Sequence, residues 1–288
     1  MRKTRSLFPS LAVTLAFVAA ACGGQTTPGD PNVEEARSTK QRVTSPQVQS
    51  PDLDTQVRSN NAFAFDLYHQ LQKNAGHNLF YSPYSISSAL AMVQAGARGA
   101  TETQSAKAMH YVLPQGQLHP VFNKVDLELK TRGQGKKGSD QKPFRLKVVN
   151  AIWGQRDYHF EAPYLDTIAQ SYGAGLRLMN FITQPDPSRL VINQWVEDQT
   201  ESRIKDLLPP NSITSDTRLV LTNAIYFNAS WAKPFNTDNT KDGSFTLLND
   251  STITVPMMKS SESATAYRDT TDFTAVTLPY DGNELSML

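Results

Sequence analysis

The side chains that most often carry catalysis are scattered along this chain of 288 residues. Its five histidines form no H-E-x-x-H or similar metal pair, and no G-x-S-x-G nucleophile turn is present. Residues 133–138 match G-x-G-x-x-G, but a dinucleotide site needs that pattern between a strand and a helix, and here it lies in a polar loop. We therefore expect no enzyme, no metal and no cofactor, and the net charge of +1 gives no reason to expect nucleic-acid binding.

Cys22 is the only cysteine, and it follows a secretory type of leader. Basic residues at positions 2, 3 and 5 precede an apolar run, Leu7–Ala21, which is short for a membrane span. The three alanines before Cys22 and the two glycines after it resemble a bacterial lipobox. We expect residues 1–21 to be a signal peptide and Cys22 to be lipidated, so that the protein is exported as a cell-envelope lipoprotein or is extracellular. Cleavage by a general signal peptidase, which leaves an idle thiol, is the alternative.

Serine hydroxyls form the densest group of candidate polar side chains, at Ser82, Ser85, Ser87 and Ser88. Ser82 is a good N-cap and Pro83 suits the first helical position, so a helix over 83–95 is predicted. The commonest role of such hydroxyls is to bond nearby backbone. A second polar group interrupts the apolar strand predicted over 218–231, where Asn223 lies between apolar neighbours and is expected to be buried and paired.

Hydrophobic spacing predicts a mixed α+β domain with helices first and strands later. The first helix is expected over Asn60–Lys73, and the third begins with a capping box formed by Thr101 and Gln104. Residues 23–55 contain few large apolar side chains, so we expect 22–55 to be a flexible tether and 56–288 to be the folded domain. Further helices are predicted over 121–130, 161–172 and 187–200, and strands over 144–153, 175–181, 243–248, 252–258, 273–279 and 284–288.

Five stretches, taken together and in order, resemble the serpin family from about Val57 to Leu288. They are residues 78–92, 96–104, 192–208, 219–231 and 276–288. The resemblance implies the serpin fold, with a helical N-terminal part packed on a large mixed β-sheet A and with further sheets B and C.

The resemblance also implies a function without any catalytic residue. A serpin is a suicide inhibitor of serine, and sometimes cysteine, proteases. The target protease attacks an exposed reactive loop, and the cleaved loop inserts as a new strand into sheet A, which traps the acyl-enzyme. The expected partners are a target protease and, through Cys22, a membrane; the protein is expected to be a monomer.

Particular residues can be matched to the family's mechanism. Ser82, Ser85 and Asn223 match the shutter, a polar cluster under the centre of the sheet where strands part. Trp231 and Thr240 match the breach, where the loop first enters; from the residues alone, Trp231 would be a plain core aromatic at a strand end. The helix over 187–200 resembles the one that lies across the sheet.

The last residues, Glu284–Leu288, alternate like a half-buried strand and then stop. From this pattern and from the resemblance we expect the sequence to be incomplete at its C-terminus and to lack the reactive loop with its P1 residue. Two rivals to an inhibitor therefore stay open. One is a non-inhibitory or decayed serpin, and the other is a surface lipoprotein that only binds a partner.

Overall fold

The described part of the chain, taken from a computed structural model, comprises residues 34–74, 76, 78–132, 144–260 and 266–288. Cys22 and the glycine-rich stretch 133–138, on which two of the sequence expectations depend, lie outside these residues. Among the helices of the described ranges, none combines the length and the apolar character that crossing a membrane requires.

Six α-helices lie within the described residues, and most start or end within a few residues of the predicted bounds. They are α1 (Ser50–Leu71, continued by a 3₁₀ turn at Gln72–Asn74), α2 (Pro83–Gln94), α3 (Gly99–Ala108), α4 (Gln115–Thr131), α5 (Ala162–Tyr172) and α6 (Pro185–Gln199).

The strands form one four-stranded sheet and two smaller ones. The first sheet has the order β1-β3-β2-β4; β2 is antiparallel to β4 and parallel to β3, so this sheet is mixed, as expected. The remaining strands form a hairpin, β5-β6, and a three-stranded sheet, β7-β8-β9. The strands are β1 (Glu35–Ala36), β2 (Arg145–Gln155), β3 (Leu176–Met179), β4 (Leu219–Asn228), β5 (Lys241–Thr246), β6 (Thr252–Met257), β7 (Ala266–Asp269), β8 (Thr274–Pro279) and β9 (Ser286–Met287).

Helix α2 lies between the helical layer and the main sheet. Its Ala91 packs with Phe63, Phe122 and other helical residues, whereas its Met92 packs with Ile152 of the sheet in a second cluster. Because alanines at 89, 91 and 95 are almost fully buried, they let neighbouring elements approach α2 closely. This packing holds α2, the helix that carries the serines, against the sheet.

The N-terminal part of the described chain differs from the expected tether. Residues 35–36 form β1, which pairs antiparallel with β3, and α1 begins at Ser50 rather than at Asn60. The prediction of a flexible tether was therefore wrong for residues 34–55. That prediction rested on the small apolar surface that the segment could bury. Residues 34–48 are instead held by backbone and charged hydrogen bonds, such as that from Arg42 to Asp126.

The expected capping box of the third helix was also wrong. Helix α3 begins at Gly99, and Arg98, in the N-cap position, makes no side-chain capping bond. Thr101 and Gln104 therefore lie inside the helix. Local side-chain hydrogen bonds hold this helix start instead, since the Arg98 guanidinium donates to the carbonyl of Ala95 and the Gln94 amide donates to the carbonyl of Glu102.

Candidate functional site

Ser82 is the N-cap of α2, and Ser85 lies in the first turn of that helix. The Ser82 side chain accepts a hydrogen bond from the backbone N–H of Ser85 at 3.3 Å, so it is the N-cap that the sequence predicts. Ser85 is completely buried. The cap therefore fixes the turn that carries the Ser85 hydroxyl towards β4.

Asn223 lies in β4 and joins three elements through one amide group. Its Nδ2 donates to the carbonyl of Ser85 at 3.1 Å and to Asn150 Oδ1 at 2.5 Å, and it also contacts the hydroxyl of Ser85. Asn150 is the residue opposite Asn223 in the β2–β4 register. An amide nitrogen has only two hydrogens, so these three acceptors share them or alternate.

The structure thus brings two of the three predicted shutter residues into direct contact. Ser82 is one step away, because it reaches Ser85 but makes no hydrogen bond to Asn223. Asn223 is half-buried rather than buried. The reason is its place in β4, which pairs with β2 alone within the described ranges of the chain.

Two members of this neighbourhood were not predicted from the sequence. Asn150 lies in a strand that was recognised from its alternation, but only the register of β2 against β4 shows that it faces Asn223. Tyr111 donates its hydroxyl to the carbonyl of Ser87 at 2.6 Å, and burial raises the pKa of this Tyr111 hydroxyl well above its usual value. No spacing in the sequence indicates either partner.

Trp231 lies just beyond the end of β4 and forms a bridge with Tyr280. The two rings are stacked, with centroids 4.8 Å apart and planes 10° apart, and Phe235 meets the edge of Trp231 at 6.2 Å. Thr240 follows a 3₁₀ turn and donates its backbone N–H to Thr237. No hydrogen bond or ring contact joins Thr240 to Trp231 in the described structure, and their common place at the breach stays a prediction.

Helix α6 rests on the main sheet through a cluster of two tryptophans and an arginine. Trp195 of α6 meets the edge of Trp153 of β2, with ring centroids 5.5 Å apart. The guanidinium carbon of Arg177 on β3 lies 5.1 Å from the Trp153 ring and 4.8 Å from the Trp195 ring. Cation–π contacts of this geometry are attractive. They therefore help to hold α6, the helix that was predicted to lie across the sheet, against β2 and β3.

His119 is the one histidine with a clear interior role among the described residues. It is buried between α4 and α5, with Nδ1 2.8 Å from the Tyr172 hydroxyl. Burial, and secondarily the charge of Arg98, lower the pKa of His119 to about 4. It is therefore a neutral structural group at neutral pH. Within the described ranges, no group of three or more His, Cys, Asp or Glu side chains is arranged to hold a metal ion.

The chain resembles known proteins in both sequence and structure. The sequence profile described as "Serpin (serine protease inhibitor)" matches residues 58–288. A leukocyte elastase inhibitor from Sus scrofa is 37% identical over 232 residues, which cover 80% of this chain and 59% of that protein. A serpin-like protein from Methanosarcina acetivorans is 37% identical over 234 residues, covering 80% of this chain and 53% of that protein.

The fold has solved counterparts as well. The structure of ovalbumin from emu, Dromaius novaehollandiae, superimposes with a TM-score of 0.70 at 28% identity, covering 82% of this chain and 62% of that one. The chain thus spans about half to three fifths of the length of the proteins it matches.

Proposed function

Because the chain belongs to the serpin family, we propose that it forms the sheet-bearing part of a suicide inhibitor of serine proteases and, in some cases, of cysteine proteases. The name of the porcine relative, leukocyte elastase inhibitor, supports a protease as the partner. In this proposal a cleaved reactive loop enters the main sheet as a new strand. The loop and its P1 residue are expected after Leu288 and stay a prediction.

The observation that carries the proposal is the hydrogen-bonded group formed by Ser85, Asn150 and Asn223. It joins α2, β2 and β4 through side chains, while the other edge of β4 has no partner strand in the described part of the chain. A strand can be added at such an edge through backbone hydrogen bonds. An amide that alternates between three acceptors can keep its bonds while the strands shift, which a fixed apolar contact cannot do.

The test uses the complete gene product, including whatever is encoded after Leu288. It is mixed with elastase-, trypsin-, chymotrypsin- and subtilisin-like enzymes, and we expect loss of enzyme activity together with an SDS-stable covalent complex for at least one of them. The 288-residue chain is the matched control and is expected to inhibit none. If the complete protein is cleaved by these enzymes or ignored by them without any complex, inhibition is wrong and a purely binding serpin is favoured.

The same proposal includes export and anchoring through Cys22. Replacing Cys22→Ala is expected to abolish fatty-acid labelling and to leave an uncleaved precursor or a soluble form, because a lipoprotein is held by its acyl chains. Labelling that persists in Cys22→Ala contradicts the lipobox interpretation. Ser6→Ala, in the same leader, is the matched control and should leave labelling unchanged.

A further inference from the structure

Residues 34–48 form a segment, named the strap here, that crosses the edge of the main sheet and the two helices beside it. We propose that the strap clamps β3 to α4 and α5, and that it must be released before this edge of the sheet can move. The consequence for loop insertion rests on the proposed function, whereas the clamp itself does not.

The first attachment of the strap is to the sheet. Glu35 and Ala36 pair with Arg177 and Leu176 of β3, and the N–H of Leu178 donates to the carbonyl of Glu34 at 2.7 Å. The strap therefore supplies the strand that borders β3 in the four-stranded sheet. Because β3 is hydrogen-bonded to β1, it cannot slide along β1 or separate from it without first breaking these backbone hydrogen bonds.

The second attachment is to α4, through a buried asparagine. Asn123 is 1% exposed, and its side-chain oxygen accepts from Arg42 Nε at 2.9 Å. Its Nδ2 donates to the carbonyl of Val43 at 2.7 Å and to that of Gln170 at 3.3 Å. Two of these three partners belong to the strap. A buried amide that is satisfied mainly by another segment indicates a built contact, because leaving such a group without partners is costly.

Charge and backbone contacts reinforce this attachment. Arg42 forms an ion pair with Asp126 of α4 at 2.5 Å, and both side chains are largely shielded from solvent. The N–H of Val43 donates to the carbonyl of Gln170 on α5 at 3.0 Å, and Ser38 donates to Asp166 of the same helix. The strap thus ties both helices to the β3 edge of the sheet, in addition to the packing of Tyr164 and Ile168 of α5 against Leu176 of β3.

Two glycines at the turn from α5 to β3 leave room for the strap. A Cβ atom at Gly175 would lie 2.7 Å from Arg37 Cγ, and one at Gly173 would lie 2.7 Å from Arg42 Cδ. Gly173 also has a φ of +64°, which independently favours glycine. Gly175 has no such backbone reason, so the close approach of the strap accounts for it.

Glu35 links the strap to the helix that lies across the sheet. Its carboxylate faces Arg177 at 3.6 Å, and Arg177 is the cation that lies over Trp153 of β2 and Trp195 of α6. Loosening the strap therefore also removes a counter-charge from the group that fastens α6. Glu35 and Arg177 therefore connect the strap, at the β3 edge of the main sheet, to helix α6.

The test is amide hydrogen exchange on the 288-residue protein. Arg42→Met keeps an unbranched apolar stem but removes the guanidinium with its hydrogen bonds and charge. It should speed exchange in β1, β3 and the end of α5 by about tenfold, as expected when local opening becomes easier. Lys40→Met is the matched control, because Lys40 is an exposed strap residue whose side chain makes no ion pair with any other described residue. Equal exchange in the two variants overturns the clamp.

Milder variants keep the test decisive if Arg42→Met does not fold. Glu35→Gln is compared with Glu34→Gln, whose carboxylate, among the described residues, forms an exposed pair with Arg156 alone. Gly175→Ala, which pushes on the strap without altering it, is compared with Gly116→Ala, where a Cβ would meet nothing within 4 Å. Faster exchange of β3 in the first member of each pair supports the clamp, and no difference within either pair contradicts it.

The functional consequence is measured separately on the complete gene product. Mild heating should inactivate Arg42→Met several-fold faster than Lys40→Met, since the sheet edge is freed. If neither protein inhibits any protease, the proposed function fails while the exchange result still decides the clamp. If both inhibit and lose activity at the same rate, the strap does not control movement of the sheet.

Discussion

Asn123 on α4 and Asn223 on β4 have the same side chain but are satisfied in different ways. Asn223 bonds to neutral partners on α2 and β2, inside the domain, and is half-buried. Asn123 is almost fully buried, and its partners include a charged side chain from a surface segment, Arg42. One asparagine lies in a neutral network on β4, the outer strand of the main sheet in the described residues, whereas the other anchors a peripheral segment by charge.

The difference shows how two polar contacts of one fold can serve different ends. Neutral amide and hydroxyl groups exchange partners at little cost, which suits a place where strands are proposed to part. An arginine with an aspartate and a buried amide is directional and stronger, which suits a fixed attachment. Salt, pH and truncation should therefore affect the two regions unequally.

The largest expected effect is that of acid on the helical region around Asn123. His119 on the same helix has a folded-state pKa of about 4, below its ordinary 6.5. Because the unfolded chain binds this proton more readily, stability that is present above pH 6.5 is lost as pH falls towards 4, by at most about 3 kcal/mol. Chemical denaturation across this window measures it. His119→Gln should flatten the slope, and a slope equal to that of the wild type contradicts the assignment.

Asn223→Ala is expected to lower the free energy of unfolding by roughly 1–3 kcal/mol, since Ser85 and Asn150 lose their shared donor. Asn228→Ala, in the same strand but exposed, should change it by less than about 0.5 kcal/mol. In the complete gene product, Asn223→Ala should also form oligomers at a lower temperature on native gels. Equal behaviour of the two alanine variants would show that Asn223 is merely a tolerated polar residue in a strand.

Trp231→Ala tests whether the far end of β4 depends on aromatic packing rather than on polar bonds. Loss of the stack on Tyr280 should cost about 1 kcal/mol beyond the lost area of contact. Trp231→Phe should recover part of it, whereas Thr240→Ala, without a ring contact, should have little effect. Thermal denaturation of the three variants distinguishes them, and a Thr240→Ala effect as large as that of Trp231→Ala would show that aromatic packing does not set the stability of this end of β4.

The smallest expected effect is that of salt. Raising NaCl from about 0.1 M to about 1 M shortens the Debye length from about 10 Å to about 3 Å. The stability difference between wild type and Arg42→Met should then shrink by about 0.5 kcal/mol, the scale of a partly exposed ion pair. The difference between wild type and Asn223→Ala involves only neutral groups and should stay constant. A salt-dependent Asn223 difference would remove the distinction between the two regions.

Much of the fold was predictable because its signals are local. The N-cap at Ser82, the proline that follows it and the alanines of α2 indicated the helix before any tertiary contact was known, and the structure confirms it. The strand β4, with Asn223 near its middle, was likewise predicted from its apolar run. The start of α1 was not, because the residues between 50 and 60 are polar on most sides and their helix is recognised only through its packing.

The sequence by itself determined the α+β class, the order of its elements and the presence of polar groups at Ser85 and Asn223, because side-chain periodicity and capping act over a few neighbouring residues. Only the tertiary structure decided which groups meet. The β2–β4 register set Asn150 opposite Asn223, and the fold brought Arg42 to Asn123 and Asp126 across 81 and 84 positions of the chain. Hydrogen bonds between such distant residues leave no periodic trace, since their geometry is set by packing and not by spacing.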